Sequence, residues 1–241
     1  MGMQDVIRLV YPSQCVACGA LVASDFGLCP SCWRDTPFIA GLTCQRCGAP
    51  WPGDALPGEE VLCDDCLALN PPWKAGRAAM LYSQNARKLV LALKHGDRME
   101  LAGPIARWMV RAGSEIIRPG MLVASVPLYW QRLFHRRYNQ AALISRKVAK
   151  EAGLDHCPDL LQRTRQTHSQ ENRSREGRFD NVAGAFRLHP RRAARARGRE
   201  ILLVDDVMTS GATLTVAAQA CLDGGAASVS VLVTARVVKD A

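Results

Sequence analysis

The sequence predicts an α/β protein: a parallel, twisted sheet with flanking helices, carrying a small N-terminal module organised by cysteines. Three observations lead there. Short apolar runs of the buried-strand kind, Met121–Val126, Ile201–Val204 and Ser228–Val233, stand apart from segments with helical spacing. Eight of the ten cysteines fall in four Cys-x-x-Cys pairs near the N-terminus. The chain has 241 residues, 48% of them apolar, which suits one large domain or one ordinary domain with an appendage and excludes disordered and fibrous classes.

The pairs are Cys15/Cys18, Cys29/Cys32, Cys44/Cys47 and Cys63/Cys66. No apolar run approaches the ~18 residues of a membrane span, so no membrane insertion is expected. The first residues lack the apolar stretch and small-residue cleavage site of a secretory signal. A cytoplasmic protein is expected, in which cysteine pairs indicate metal more often than disulfide. Each Cys-x-x-Cys turn aims two sulfurs at one ion, and two turns complete a tetrahedral thiolate shell suited to Zn²⁺. Gly19 and Gly48 follow the first knuckle of each half, where a left-handed backbone would turn the chain away. Two structural zinc sites in sequence, Cys15 to Cys32 and Cys44 to Cys66, are the simplest arrangement; spacing alone also admits an interleaved one. Iron–sulfur binding competes with zinc, whereas four pairs so close together argue against a redox dithiol. A closed four-sulfur shell folds a module and leaves no position for catalysis.

Net charge is +9, from 31 Lys+Arg and 22 Asp+Glu, which points to an anionic partner, a phosphorylated small molecule or nucleic acid. Its distribution separates it from the cysteines. Residues 1–72 hold Arg8, Arg34 and Arg46 against eight acids, a poor phosphate grip and a better protein-contact scaffold. Asn70-Pro71-Pro72 reads as the exit linker, giving a cysteine module over 1–72 and an α/β domain over 73–241. Residues 131–199 hold 17 Lys+Arg against 6 Asp+Glu.

The most specific chemical signal follows Ile201–Val204. Asp205-Asp206 comes at once, then Val207-Met208-Thr209-Ser210-Gly211-Ala212-Thr213, then Leu214, Ala217, Ala218 and Cys221 on one helix face, ended by Gly224-Gly225. Strand, loop, helix and the strand from Ser228 form a right-handed crossover unit. A loop of small and hydroxyl residues entering a helix N-terminus suits a phosphate. Two carboxylates at a strand end suit a vicinal diol, and the two together describe a ribose 5-phosphate. The plainer reading is a turn capped by Asp206 or Thr209, with Cys221 in the core. Asp205 to Thr213 resembles the 5-phosphoribosyl-1-pyrophosphate signature of type I phosphoribosyltransferases. That resemblance implies that Asp205 and Asp206 hold the ribose hydroxyls and that Thr209, Ser210, Gly211, Ala212 and Thr213 hold the 5′-phosphate.

Between the cysteines and this loop, Trp73–Tyr82 reads as an edge strand, Arg87–Lys94 and Leu101–Arg111 as helices, and Met121–Val126 as a buried strand stopped by Pro127. A basic segment with Arg132, Arg136 and Arg137 follows, where the transferase family places its pyrophosphate loop; these arginines are candidates for the leaving group. The zinc knuckles, Leu93-Lys94-His95-Gly96-Asp97, Val126-Pro127-Leu128, Arg136-Arg137-Tyr138-Asn139-Gln140 and the phosphate loop together resemble the ComF family with its GntX branch. The stretch Arg163–Phe186 is similar to it as well, through Arg163, Thr167, Gln170, Arg178, Asn181 and Phe186.

The resemblance implies a double zinc ribbon joined to a type I phosphoribosyltransferase domain and a role in DNA uptake during natural transformation. It implies 5-phosphoribosyl-1-pyrophosphate as ligand, with Mg²⁺ carried by its pyrophosphate and a nitrogen acceptor displacing the pyrophosphate. Residues Arg163–Asn181 occupy, in sequence order, the slot of the loop that closes over the reacting centre in phosphoribosyltransferases, and the zinc module and residues 73–95 are the two candidates for a hood over the acceptor. The alternative is a non-enzymatic adaptor that handles single-stranded DNA or contacts competence proteins. For the arginine-rich run Arg187–Arg199, a solvated connector is favoured over a nucleic-acid grip, since it lacks aromatic residues for stacking. The five histidines show no metal-ligand spacing, and only His168, in the lid segment, is placed to assist chemistry.

Overall fold

The computed structural model describes residues 12–23, 27–56, 59–95, 98–128, 139–165 and 184–238. Its centre is a five-stranded parallel sheet in the order β1-β7-β6-β2-β3. The strands are β1 (Ala75–Leu81), β2 (Leu122–Ser125), β3 (Asp155–Cys157), β6 (Glu200–Met208) and β7 (Ser228–Arg236), and every pairing between them is parallel. A separate antiparallel pair, β4 (Leu161–Arg163) and β5 (Phe186–Leu188), lies beside it. The helices are α1 (Pro30–Arg34), α2 (Asp64–Leu69), α3 (Gln84–His95), α4 (Ala102–Ala112), α5 (Gln140–Ala152) and α6 (Ala212–Asp223). None of the described helices is long and apolar enough to cross a membrane.

The apolar strands explain the layering. Because successive side chains point to opposite faces, an uninterrupted apolar strand needs cover on both. Ile201 and Leu203 of β6 pack with Val231, Val233 and the α6 residues Leu214, Ala217 and Cys221. Leu202 and Val204 pack on the other face with Ile105 and Met109 of α4, Ile144 and Val148 of α5, and Leu89 and Leu93 of α3. The predicted α/β class is therefore the observed one, with Cys221 in the core. Strand β6 runs four residues past the end of its apolar stretch, so Asp205 and Asp206 lie within the strand; β7 continues beside it to Arg236 and supplies the pairing.

Strand β1 ends the sheet, as expected of an edge strand, yet its outer side is covered. The segment between the cysteine pairs crosses it, with Phe38 bridging Met80, the Ile39 N–H donating to Ala79 O and the Leu81 N–H to Pro37 O. Further along, the Gly76 N–H donates to Gln45 O, inside the Cys44/Cys47 knuckle. Otherwise unpaired edge groups thus find backbone partners.

This contact is so close that two glycines are required. A Cβ on Gly76 would stand 2.2 Å from Arg46 O and 2.7 Å from a Val231 methyl. Gly48 has φ +71°, and a Cβ there would lie 2.6 Å from the Ala78 nitrogen. The residues read as an exit linker, Asn70-Pro71-Pro72, also sit against the knuckle, where the Arg46 guanidinium donates to Pro71 O at 3.4 Å. Asn70 ends α2 in the left-handed region, the Trp73 indole N–H donates to Arg46 O, and the Arg46 guanidinium donates back to Trp73 O at 2.8 Å.

Gly76→Ala is therefore expected to cost about 2–4 kcal/mol by forcing the knuckle off the sheet. Gly103→Ala, in α4 with open space at its Cβ, is the control and should cost nothing. Urea denaturation of the full chain measures both; a Gly76→Ala protein as stable as its parent would contradict the close contact.

Candidate functional site

The cysteines form two groups of four, Cys15/Cys18/Cys29/Cys32 and Cys44/Cys47/Cys63/Cys66, with the four sulfurs of each within 4.8 Å of one another. The pairing is sequential, which resolves the choice that spacing left open. The two groups repeat one design. In each, the first cysteine carbonyl accepts from the glycine N–H four residues on, Gly19 at 2.9 Å and Gly48 at 2.8 Å. Both glycines adopt the expected left-handed backbone, φ +78° and +71°. In each, the third cysteine caps a short helix and its N–H donates to the first cysteine's sulfur, Cys29 to Cys15 Sγ at 3.3 Å and Cys63 to Cys44 Sγ at 3.4 Å.

These donors fit zinc. A tetrahedron with Zn–S bonds of ~2.3 Å separates its sulfurs by about 3.8 Å, and Cys18–Cys29 and Cys47–Cys63 stand at 3.7 and 3.6 Å. When bound, the ion acts as a structural cross-link, with all four positions taken by protein.

The acid pair sits on β6 at the carboxyl end of the sheet, where open α/β sheets bind ligands. The two carboxylates differ in surroundings. Asp206 Oδ2 lies 3.0 Å from Lys94 Nζ, at the C-terminal end of α3. Asp205 Oδ1 accepts the Asp206 backbone N–H at 2.8 Å. Burial, and then the neighbouring Asp206 carboxylate, push Asp205 up to about 7, against the opposing charges of Lys94 and Arg163. At neutral pH Asp205 is therefore poised between donor and acceptor, which suits a hydroxyl partner. Lys94 joins the acid pair although local pattern did not single it out. Its only signal was its place in a family-like string, since nothing in the spacing ties the end of α3 to Asp206.

Beyond β6 the loop runs through Thr209 and Ser210 to Gly211, which caps α6 with φ +80°. A Cβ on Gly211 would meet the Trp73 ring at 3.3 Å. Ser210 Oγ accepts from the Ala212 N–H at 3.5 Å, and the Thr215 hydroxyl donates to Gly211 O at 3.1 Å. Asp205, Asp206, Thr209, Ser210, Gly211, Ala212 and Thr213 thus share one strand–loop–helix junction.

Arg132, Arg136 and Arg137 lie outside the described residues, as do His168 and most of the lid segment. The described residues on either side of it are neighbours: β4 and β5 pair, and the Thr164 N–H donates to Ala185 O. Arg163 stacks over the Phe186 ring at 5.3 Å. In the arginine-rich run, several side chains have internal partners. Arg192 pairs with Asp159 at 2.9 Å, Arg199 with Asp155 at 3.0 Å, and Arg195 donates to His156 O. They staple this run to the β3 edge.

Two outcomes follow. Metal analysis should find two zinc ions per chain, and Cys44→Ser should retain one. The raised Asp205 carboxyl holds a proton that the unfolded chain has lost between about pH 4 and 7, so its contribution to stability falls as pH rises through that window and is gone above it. Asp205→Asn keeps the shape without the charge. It should be more stable than its parent by ~1–3 kcal/mol at pH 8 and little different at pH 4. Denaturation midpoints at both pH values decide; a difference independent of pH would contradict the raised carboxyl.

The chain is similar to known proteins along most of its length. Residues 6–67 match the double zinc ribbon domain family. The chain is 33% identical over 230 residues to the DNA utilization protein YhgH of Salmonella typhimurium, covering 92% of this chain and 96% of that one. It is 27% identical over 207 residues to competence protein F of Haemophilus influenzae, covering 83% and 87%. Among solved structures there is a weaker likeness, at 15% identity and a TM-score of 0.40, to glutamine phosphoribosylpyrophosphate amidotransferase from B. subtilis, over 59% of this chain and 30% of that one. By its near full-length match to these relatives, the chain belongs to the ComF family.

Proposed function

We propose that this protein binds 5-phosphoribosyl-1-pyrophosphate at the β6–α6 junction and transfers its ribose 5-phosphate to a nitrogen acceptor, in the service of DNA utilization. The observation that carries the reading is the placement of a carboxylate pair and a hydroxyl-rich, glycine-capped loop on one strand–loop–helix unit at the carboxyl edge of a parallel sheet. The pair accepts hydrogen bonds from the ribose 2- and 3-hydroxyls. The loop and the first turn of α6 face the 5-phosphate with N–H groups and hydroxyls.

The acid pair is better suited to a diol than to a resident cation. Lys94 already neutralises Asp206, and Asp205 is half-protonated near neutral pH. Mg²⁺ belongs with the diphosphate, where it supplies charge neutralisation to the leaving group. In transfer, the nitrogen lone pair forms the new bond to C1 while the C1–O bond to pyrophosphate breaks and its electron pair leaves with the pyrophosphate. The chain contributes fixed position and water exclusion. Arg132, Arg136 and Arg137 are proposed to meet the pyrophosphate oxygens. The relatives' names supply the biological setting, DNA utilization and competence.

Calorimetric titration with the Mg²⁺ diphosphate tests the ligand. Asp205→Asn/Asp206→Asn should bind at least tenfold more weakly, the loss of about 1.4 kcal/mol or more expected when charged acceptors are removed from a diol. Equal affinity in the double variant removes the reading. Pyrophosphate release in the presence of nitrogen acceptors then separates transfer from binding alone.

A further inference from the structure

The phosphate loop is held from behind, and both holds lead to the same place. The first is Arg236, the last residue of β7. Its side chain is 6% exposed, and Nη1 donates to Met208 O at 3.4 Å and to Thr209 O and Val237 O. Its Nη2 lies 3.9 Å from Asp65 Oδ2, in the first turn of α2 between Cys63 and Cys66. The second is Trp73. Its ring packs against Gly211, and its indole N–H donates to Arg46 O, between Cys44 and Cys47. One hold ends on each half of the second cysteine group. The described residues of the first group make neither contact.

A loop that receives a phosphate must keep its carbonyls away from the anion while its N–H groups face it. A buried guanidinium gripping the Thr209 carbonyl does this and places a fixed positive charge behind the loop. Trp73 packs its ring against Gly211, where a Cβ would crowd it at 3.3 Å. Both side chains are set by residues inside the two turns that a metal would clamp together. With the four sulfurs unclamped, Arg46 and Asp65 lose their fixed separation, and the two holds lose their common anchor.

We propose that Arg236 and Trp73 are positioning residues for the sugar phosphate and that the Cys44/Cys47/Cys63/Cys66 centre is energetically coupled to occupancy of the phosphate loop. The first centre is not. This deepens the function proposed above and rests on its assignment of the loop to a 5-phosphate. Coupling of two binding events is reciprocal: if metal at the second centre favours phosphate binding, phosphate favours metal retention by the same factor.

The test uses the zinc-loaded full chain, a chromogenic chelator to follow zinc release, and ribose 5-phosphate as the probe. Saturating ribose 5-phosphate should slow the release of one of the two zinc ions at least fivefold, while ribose at equal concentration should not. Cys18→Ser, which disarms the first centre, should keep the protected ion. Asp65→Asn, an isosteric change at a half-exposed position, and Trp73→Phe should each bind ribose 5-phosphate three- to tenfold more weakly with unchanged affinity for pyrophosphate. The proposal is overturned, with the ligand assignment intact, if ribose 5-phosphate binds but neither zinc is protected and both variants bind as the parent does. Protection that disappears in Cys18→Ser also overturns it. If ribose 5-phosphate fails to bind the parent protein, the coupling and the ligand assignment fall together.

Discussion

A parallel sheet has a last strand whose outer N–H and C=O groups need partners, and much of this molecule follows from how that need is met at β1. The strand is buried and apolar, with Ala78, Ala79 and Met80 each at 2% exposure or less, so water cannot satisfy it. The cover comes from the segment between the two cysteine groups and from the second knuckle itself. Docking backbone on backbone forces glycine at positions 48 and 76. It brings Arg46 against Trp73, and Trp73 against the loop that follows β6. The cysteine module is thus part of the sheet's architecture, and its closeness to the β6–α6 junction is a geometric consequence of closing the edge.

The charge distribution becomes intelligible in the same frame. An acidic cysteine module looks wasteful in a protein of net charge +9. Yet a guanidinium as buried as that of Arg236 needs negative surroundings to offset its lost hydration, and the module provides Asp65 beside it. At the other end of the site the signs are reversed: Lys94 and Arg163 offset two carboxylates that would otherwise repel. Each buried or half-buried charge at the junction is answered from an element distant in sequence. Such pairings stabilise only one mutual placement of those elements, so they favour specificity of assembly over raw stability.

What could be read in the sequence was whatever a short window contains. The crossover around β6 and α6 announced itself because strand period, loop composition and helix period follow one another without interruption. The four cysteine pairs, and the left-handed glycines after two of them, are equally local. The end of β6 misled because two carboxylates look like the end of a buried strand, whereas pairing with β7 carries the strand on to Met208. Asn70-Pro71-Pro72 has the composition of a linker, and nothing in it announces the Arg46 hydrogen bonds to Pro71 O and to the adjoining Trp73 O. Lys94 and Arg236 gave no signal as neighbours of the site, because a contact between distant helix and strand ends leaves no periodicity to detect.

The two cysteine groups illustrate how one local design acquires two uses. Their turns, helix caps and N–H to sulfur bonds match nearly atom for atom. Their surroundings do not. Cys15, Cys29 and Cys32 form a small apolar cluster of their own, tied to the layer of α3 and α4 by the Asn85 amide on Cys32 O and by the ring contacts Trp33–Phe38–Trp108. Cys44, Cys47 and Cys66 belong to the main core, in one cluster with Trp73, Leu203 and Leu214. Loss of order in the first group would loosen its packing against α3 and α4, where Val16 is buried. Loss of order in the second would uncover the edge of β1 and the back of the loop at once. Identical coordination chemistry therefore has unequal consequences, and the difference is set by what each knuckle packs against.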